Sequence, residues 1–141
     1  MIYVEEKDFN RQIELLEFIA SSQDLNICAW LYPESNVTEL VGIEVSDNSQ
    51  GFIPVTTYEN GFSPKCTAPV LATPGSIRSF GSAYSELKKN CDSLAIYKKN
   101  QFNWFAATIG HEGMCLVQDN SLLKRLTQAG YAASTEAPSW W

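Results

Sequence analysis

The densest apolar block in the chain is Ser93–Val117, SLAIYKKNQFNWFAATIGHEGMCLV. Polar Lys98–Gln101 divides the apolar run Leu94–Tyr97 from Phe102–Ile109, and Gly110–Gly113 divides that second run from Met114–Val117. Short apolar runs separated by tight polar breaks predict a β-meander of adjacent antiparallel strands. The middle run is apolar in both phases: Phe102, Trp104 and Ala106 in one, Phe105, Ala107 and Ile109 in the other. A strand covered on one face would alternate, so this one is predicted to be central and covered on both faces.

Elsewhere the pattern changes period. Phe9, Ile13, Leu16 and Ala20 recur at helical spacing, with Leu15 and Ile19 widening the stripe and Arg11, Glu14 and Glu17 away from its centre. This predicts an amphipathic helix, capped by Asp8 and ended by Ser21–Asp24. Met1–Val4 before it reads as an edge strand or a strand leading into the helix. Asn26–Tyr32 reads as a strand stopped at Pro33–Asn36. Val37–Val45 reads as its hairpin partner, with Val37, Glu39, Val41, Ile43 and Val45 on the better core face. Phe52–Tyr58 is a further candidate strand, confined by Pro54 to an edge or a bulge. Glu59–Ser76, broken by Pro64, Pro69 and Pro74, reads as a long surface loop with room for a short extended piece over Lys65–Leu71.

Phe80, Tyr84, Leu87 and Cys91 place a second helix over Ser76–Asn90. Asp119 or Ser121 caps a third, with Leu122, Leu123 and Leu126 inward, Lys124 and Arg125 outward, and Gly130 just past its end. The expected fold is α+β: one domain over residues 1–141, with a mostly antiparallel sheet of about five or six strands and three helices packed mainly on one side.

Composition narrows the class. No apolar run approaches the ~20 residues of a membrane span, and the first residues are not a basic leader followed by an apolar stretch, so the expected setting is the cytoplasm. Cys28, Cys66, Cys91 and Cys115 are widely spaced without a CxxC pair. That pattern argues against a zinc site, and in a cytosolic protein it predicts reduced, buried thiols. The net charge of −6 is unevenly placed: residues 1–60 hold eleven acids against two bases, and residues 61–141 hold five acids against eight bases. An acidic half disfavours nucleic acid, which needs clustered Lys and Arg, and suits a basic protein partner.

Candidate chemistry is sparse. His111 is the single histidine, with Glu112 beside it and Cys115 four residues on. A Cys–His pair is conceivable, but neighbours across a tight turn need not converge, and a polar hairpin tip explains His111 as well. The glycines form no phosphate loop, and Ser82 lacks the GxSxG pattern. Trp30 and Trp104 fall inside predicted strands. Trp140 and Trp141 end the sequence, where two indoles either fold back on the domain or meet a partner.

In this character the chain resembles bacterial immunity proteins: an acid-rich α+β domain without catalytic motifs, with aromatic and acidic residues available for an interface. The resemblance implies tight binding of one cognate secreted toxin effector, often a nuclease, by occlusion of its active site. It implies no catalysis and no cofactor. Acidic residues of the first half would then imitate the charge of a polyanionic substrate. The expected partner-binding residues are Glu34, Glu39, Glu44, Asp47 and Glu59, on the predicted hairpin and loops, together with Trp140 and Trp141. The alternatives are a small enzyme or ligand-binding domain using Cys115, His111 or Cys66, and a subunit of a larger assembly.

Overall fold

The computed structural model describes residues 1–20, 23–32, 39–40, 43–47, 63–67, 70–72, 88–99, 101 and 103–141, with backbone alone for the strands between 39 and 72. In chain order the elements are β1 (Ile2–Glu5), α1 (Phe9–Ala20), β2 (Gln23–Leu31), β3 (Glu39–Leu40), β4 (Ile43–Asp47), β5 (Ser63–Thr67), β6 (Val70–Ala72), β7 (Cys91–Lys98), β8 (Ala106–Ile109), β9 (Met114–Val117), α2 (Leu123–Gln128) and β10 (Ala133–Ser134). Residues 88–90 are also helical; the rest of the predicted second helix, like the candidate strand Phe52–Tyr58, lies outside the described residues. Among the described residues, no helix is long and apolar enough to cross a membrane.

The expected α+β architecture is the one observed. The strands form an antiparallel sheet in the order β10-β1-β9-β8-β7-β2-β5-β4-β3, with β6 also pairing β2. Its body is the run from β1 to β5, and peripheral strands extend it at both edges. The meander forms as predicted: β7, β8 and β9 are successive neighbours, and all of β8 is buried. β1 lies between β10 and β9 and is not an edge strand.

Alternation along the central strands fills two layers. Leu25, Ile27, Ala29 and Leu31 of β2 and Leu94 and Ile96 of β7 join Ile13, Leu15, Leu16 and Ile19 of α1 and Leu126 of α2 in one cluster. The opposite phase, Cys28, Trp30, Ala95, Tyr97 and Ala107, forms a second. Ile109, Met114 and Leu116 form a third. The helices α1 and α2 both pack on the first cluster. A seam runs between them: the Arg11 guanidinium lies 4.5 Å from the Tyr131 ring and that of Arg125 lies 5.0 Å from the Phe18 ring.

The helix ends are built as the sequence reads. Asp8 accepts the Arg11 N–H at 3.0 Å and caps α1. Asp119 accepts the Ser121 N–H at 2.9 Å, capping the 3-10 turn that leads into α2. At the far end Gly130, with φ of 89°, donates its N–H to Thr127 and Tyr131 donates to Leu126. That pair of bonds is a Schellman ending, which needs a residue at ease with positive φ. Glu17, expected away from the stripe, is buried, as is Gln12, so the covered arc of α1 exceeds one face.

The region after β2 departs from expectation. The alternation over Val37–Val45 predicts one strand pairing β2, but within it Leu40 of β3 pairs Ile43 of β4, so the run folds back on itself. β4 pairs β5 instead. β2 is flanked by β7 on one side and by β5 and β6 on the other, with the register offset by one residue between those two. Of Lys65–Leu71, the described residues 65–67 and 70–71 are therefore part of the sheet.

The expectation of reduced thiols also fails at one site. Cys28 is disulfide-bonded. Cys91 and Cys115 are free, and position 66 of β5 stands opposite Cys28 in the β2–β5 register. Directly opposed residues on antiparallel strands fall within the Cα separation a disulfide requires. A bridge from Cys28 to the opposed strand would restrain the unfolded chain by about 4 kcal/mol. Cys28→Ser should therefore lower the stability measured by urea unfolding by about that amount, and reductant should reproduce the loss in the parent chain. An unchanged midpoint in both experiments would show that the bridge does not hold β5 to β2.

Candidate functional site

The turn between β8 and β9 is where polar groups converge. Gly110–Glu112 forms one 3-10 turn, closed by Gly113 at φ of 63°. Gly110 is pressed against β7: a Cβ there would lie 2.2 Å from the Asp92 carbonyl oxygen. Asp92 in turn sits where the β2–β7 register slips. Trp30 pairs Ser93 but Leu31 pairs Cys91, so Asp92 is the extra residue of a β-bulge. Bulges re-aim side chains, and this one turns a carboxylate beneath the turn.

The Asp92 side chain is only 2% exposed. Its Oδ1 accepts the His111 backbone N–H at 2.8 Å and the Tyr32 hydroxyl at 3.4 Å. Its Oδ2 accepts from Ser93 Oγ at 3.2 Å and lies 2.6 Å from His111 Nδ1. Which of the two donates in that contact follows the tautomer of the imidazole. Half of the imidazole is exposed, with Nε2 3.8 Å from Glu112 Oε1. The Tyr32 hydroxyl is held above the usual tyrosine range, by burial first and then by the charge of Asp92.

An Asp–His pair is part of a nucleophilic relay, which also needs a hydroxyl or thiol on the imidazole. Ser93 Oγ bonds Asp92. The free thiols are poor candidates. The Cys91 thiol is pushed up to about 12, by burial and then by Asp92. The Cys115 thiol is raised by burial first and then by Glu6. Both stay protonated at neutral pH, and protonated thiols are weak nucleophiles. Cys115 belongs to the helix-side core cluster, while His111 is bonded to Asp92, so the geometry gives the conceivable Cys115–His111 pair no support. Cys66 stands opposite the bonded Cys28. The Asp92–His111 contact is best understood as a clamp holding the β8–β9 turn on β7. Among the described residues, no group of three or more His, Cys, Asp or Glu side chains could hold a metal ion.

The expected interface residues fall at two ends of the sheet. Glu39 in β3 stands directly opposite Glu44 in β4. Asp47 in β4 stands opposite Lys65 in β5. β3 closes the strand order on that side. Glu34 and Glu59 lie outside the described residues. Trp140 and Trp141 belong to the other end, near β1: the Trp141 ring meets Tyr3 edge-on at 6.2 Å, and Trp140 meets Trp141 at 6.0 Å. Trp141 thus folds back on the sheet, yet the two indoles remain 54% and 44% exposed. Among the described residues, the fold does not bring Glu39, Glu44 and Asp47 together with the tryptophans. Asp92 and Tyr32, the polar centre of the turn, were not singled out in the sequence, because only the slipped register makes them neighbours.

Two measurements test these roles. Asp92→Ala should destabilise the domain by about 2–3 kcal/mol in urea, since it strands buried donors, and Asp92→Asn should recover part of the loss by keeping one acceptor. A parent-like midpoint for Asp92→Ala would remove the clamp. In the folded, non-reduced protein both free thiols should resist iodoacetamide at pH 8 and react only on unfolding; one fast-reacting thiol would reopen the enzymatic alternative. Compared with known proteins, the chain matches no family model, no curated protein and no solved structure.

Proposed function

We propose that this chain is a small acidic binding protein of the immunity type, which neutralises a cognate toxin effector by covering its active site. The observation that carries this reading is the register of the β3–β4 hairpin, with Glu39 directly across from Glu44. Directly opposed residues share one face of a hairpin, and like charges there are destabilising by about 0.2–1 kcal/mol. A basic surface docked over that pair would convert repulsion into attraction and would be steered towards it during approach. The net −9 of residues 1–60 adds to the same field. A nuclease cleft, built to attract phosphates, has the complementary sign.

In this proposal Glu39 and Glu44 form the centre of the interface, and Asp47 lies at its margin because Lys65 already stands opposite it. Occlusion needs no cofactor. Trp140 and Trp141 would engage a different part of the partner, since they lie at the other end of the sheet. The cytoplasm is the proposed setting, where a bridge such as that at Cys28 persists only if the fold shields it from reductant. Alkylation of acid-quenched cells reads that redox state directly.

The double variant Glu39→Gln/Glu44→Gln tests the reading in two opposite directions. It should be slightly more stable to urea than the parent, because the repulsion is gone. It should also bind the effector domain encoded beside its gene about tenfold more weakly, mainly through slower association at low salt. Co-expression of the parent chain should protect cells from that domain. Absence of protection, or equal binding by parent and variant, would defeat the proposal.

A further inference from the structure

A cleft of about 640 Å³ opens at one end of the meander, where β7 ends, β8 begins and β9 ends. This volume falls in the range of small-ligand sites, about 300–1,000 Å³. Its frame is tied by backbone bonds: the Phe105 N–H donates to Ile96 at 2.8 Å, and the Gln118 N–H donates to Phe105 at 3.0 Å. The cleft is therefore built on sheet strands.

The lining combines two kinds of surface. Trp104 is half-buried against the second and third core clusters, which fix one edge of the indole while the residue lines the cleft. Phe105 lies next to it, with Lys98 Nζ 4.7 Å from its ring. Around these rings stand three carboxamides, those of Gln101, Asn103 and Gln118. Their side chains make no hydrogen bond among the described residues. Asp119 completes the rim, with one carboxylate oxygen bonded to the Ser121 N–H. That bond is the first cause holding its pKa below the usual carboxylate range, so it is ionised at neutral pH and balances Lys98.

The chemistry of this lining selects a ligand class. A carboxamide both donates and accepts, and so matches hydroxyl and acetamido groups, which do the same. The Trp104 ring offers an apolar platform for a flat C–H face. One cation and one anion leave the rim neutral, which gives a phosphate no advantage, and the chain's overall charge of −6 repels it. We propose that this cleft binds a neutral oligosaccharide, one sugar ring lying on Trp104 with its hydroxyl rim bonded by Gln101, Asn103, Gln118 and Asp119. This inference stands apart from the toxin-binding reading, which rests on the β3–β4 hairpin.

The test is a titration of the ¹⁵N-labelled protein with triacetylchitotriose and with maltotriose, each at millimolar concentration, and with adenosine monophosphate as the charged comparison. The indole N–H of Trp104 and the side-chain NH₂ signals of Gln101, Asn103 and Gln118 should shift saturably with at least one sugar. Trp104→Ala should weaken binding about tenfold, the scale of losing one stacked ring. Gln101 and Gln118 are exposed, so Gln101→Ala/Gln118→Ala keeps the fold and should also weaken binding, which covers the case in which Trp104→Ala does not fold. No saturable shift with either sugar would overturn the proposal. So would full affinity in the Gln101→Ala/Gln118→Ala variant, or saturation by adenosine monophosphate in place of the sugars.

Discussion

A charge buried beneath a tight turn organises the connections of this fold. Removing a carboxylate from water costs several kcal/mol unless donors replace the lost hydration. Asp92 meets that requirement with the His111 backbone N–H, the imidazole, the Ser93 hydroxyl and the Tyr32 hydroxyl. The consequence travels outward. Holding His111 fixes the Gly110–Gly113 turn, and the Gly113 carbonyl then accepts the Glu6 N–H at 2.8 Å. Glu6 in turn accepts the Asp8 N–H through its carboxylate and the Gln12 amide through its carbonyl. Asp8 starts α1. A contiguous line of hydrogen bonds thus runs from the bulge in β7 to the first turn of the helix that covers the sheet.

What the sequence made legible is what local physics decides. The two-phase apolar content of the second meander run correctly implied burial on both faces of β8. The caps by Asp8 and Asp119 and the ending at Gly130 are each set by a few neighbouring residues, and each was readable. The failures all involve distant partners. β2 pairs β7 and β5, and no property of Asn26–Tyr32 alone distinguishes those neighbours from the nearer Val37–Val45. The pairing of Leu40 with Ile43 was hidden by the strand-like alternation over Val37–Val45. The bridge at Cys28 follows from register and not from spacing. Asp92, one polar residue at the mouth of an apolar run, carries no periodic mark, and its importance arises only when a one-residue slip places it under His111. Of the candidate interface, the sequence gathered acids by composition, and only the register showed that Glu39 and Glu44 stand directly opposite one another.

Acids at β3, the last strand of the sheet among the described residues, do two things at once. A terminal strand presents unpaired backbone groups to other chains, and charge placed there discourages indiscriminate pairing. The same charge makes the edge attractive to one kind of surface, a basic one. In the proposed reading, protection and recognition are compatible at β3, since the repulsion that would exclude a second copy of this acidic chain would be the attraction felt by a cationic partner. A neutral edge would provide neither.

Burial on both faces has a further consequence for where recognition can occur. β8 and β9 are buried throughout, as are nearly all positions of β2 and β7, so the central faces of the sheet are not open to a partner. Among the described residues, contact is left to the edges, the strand ends and the outer sides of the helices. Each distinctive surface lies in one of those places: the acidic hairpin at the β3 edge, the tryptophan pair beside β1, and the Trp104 cleft where β7, β8 and β9 meet their connections. Because these regions are separated by a packed interior, a change at one reaches another only through the core. Substitutions confined to the acidic hairpin should leave the cleft's geometry intact, and this independence is what allows the two proposed binding activities to be judged separately.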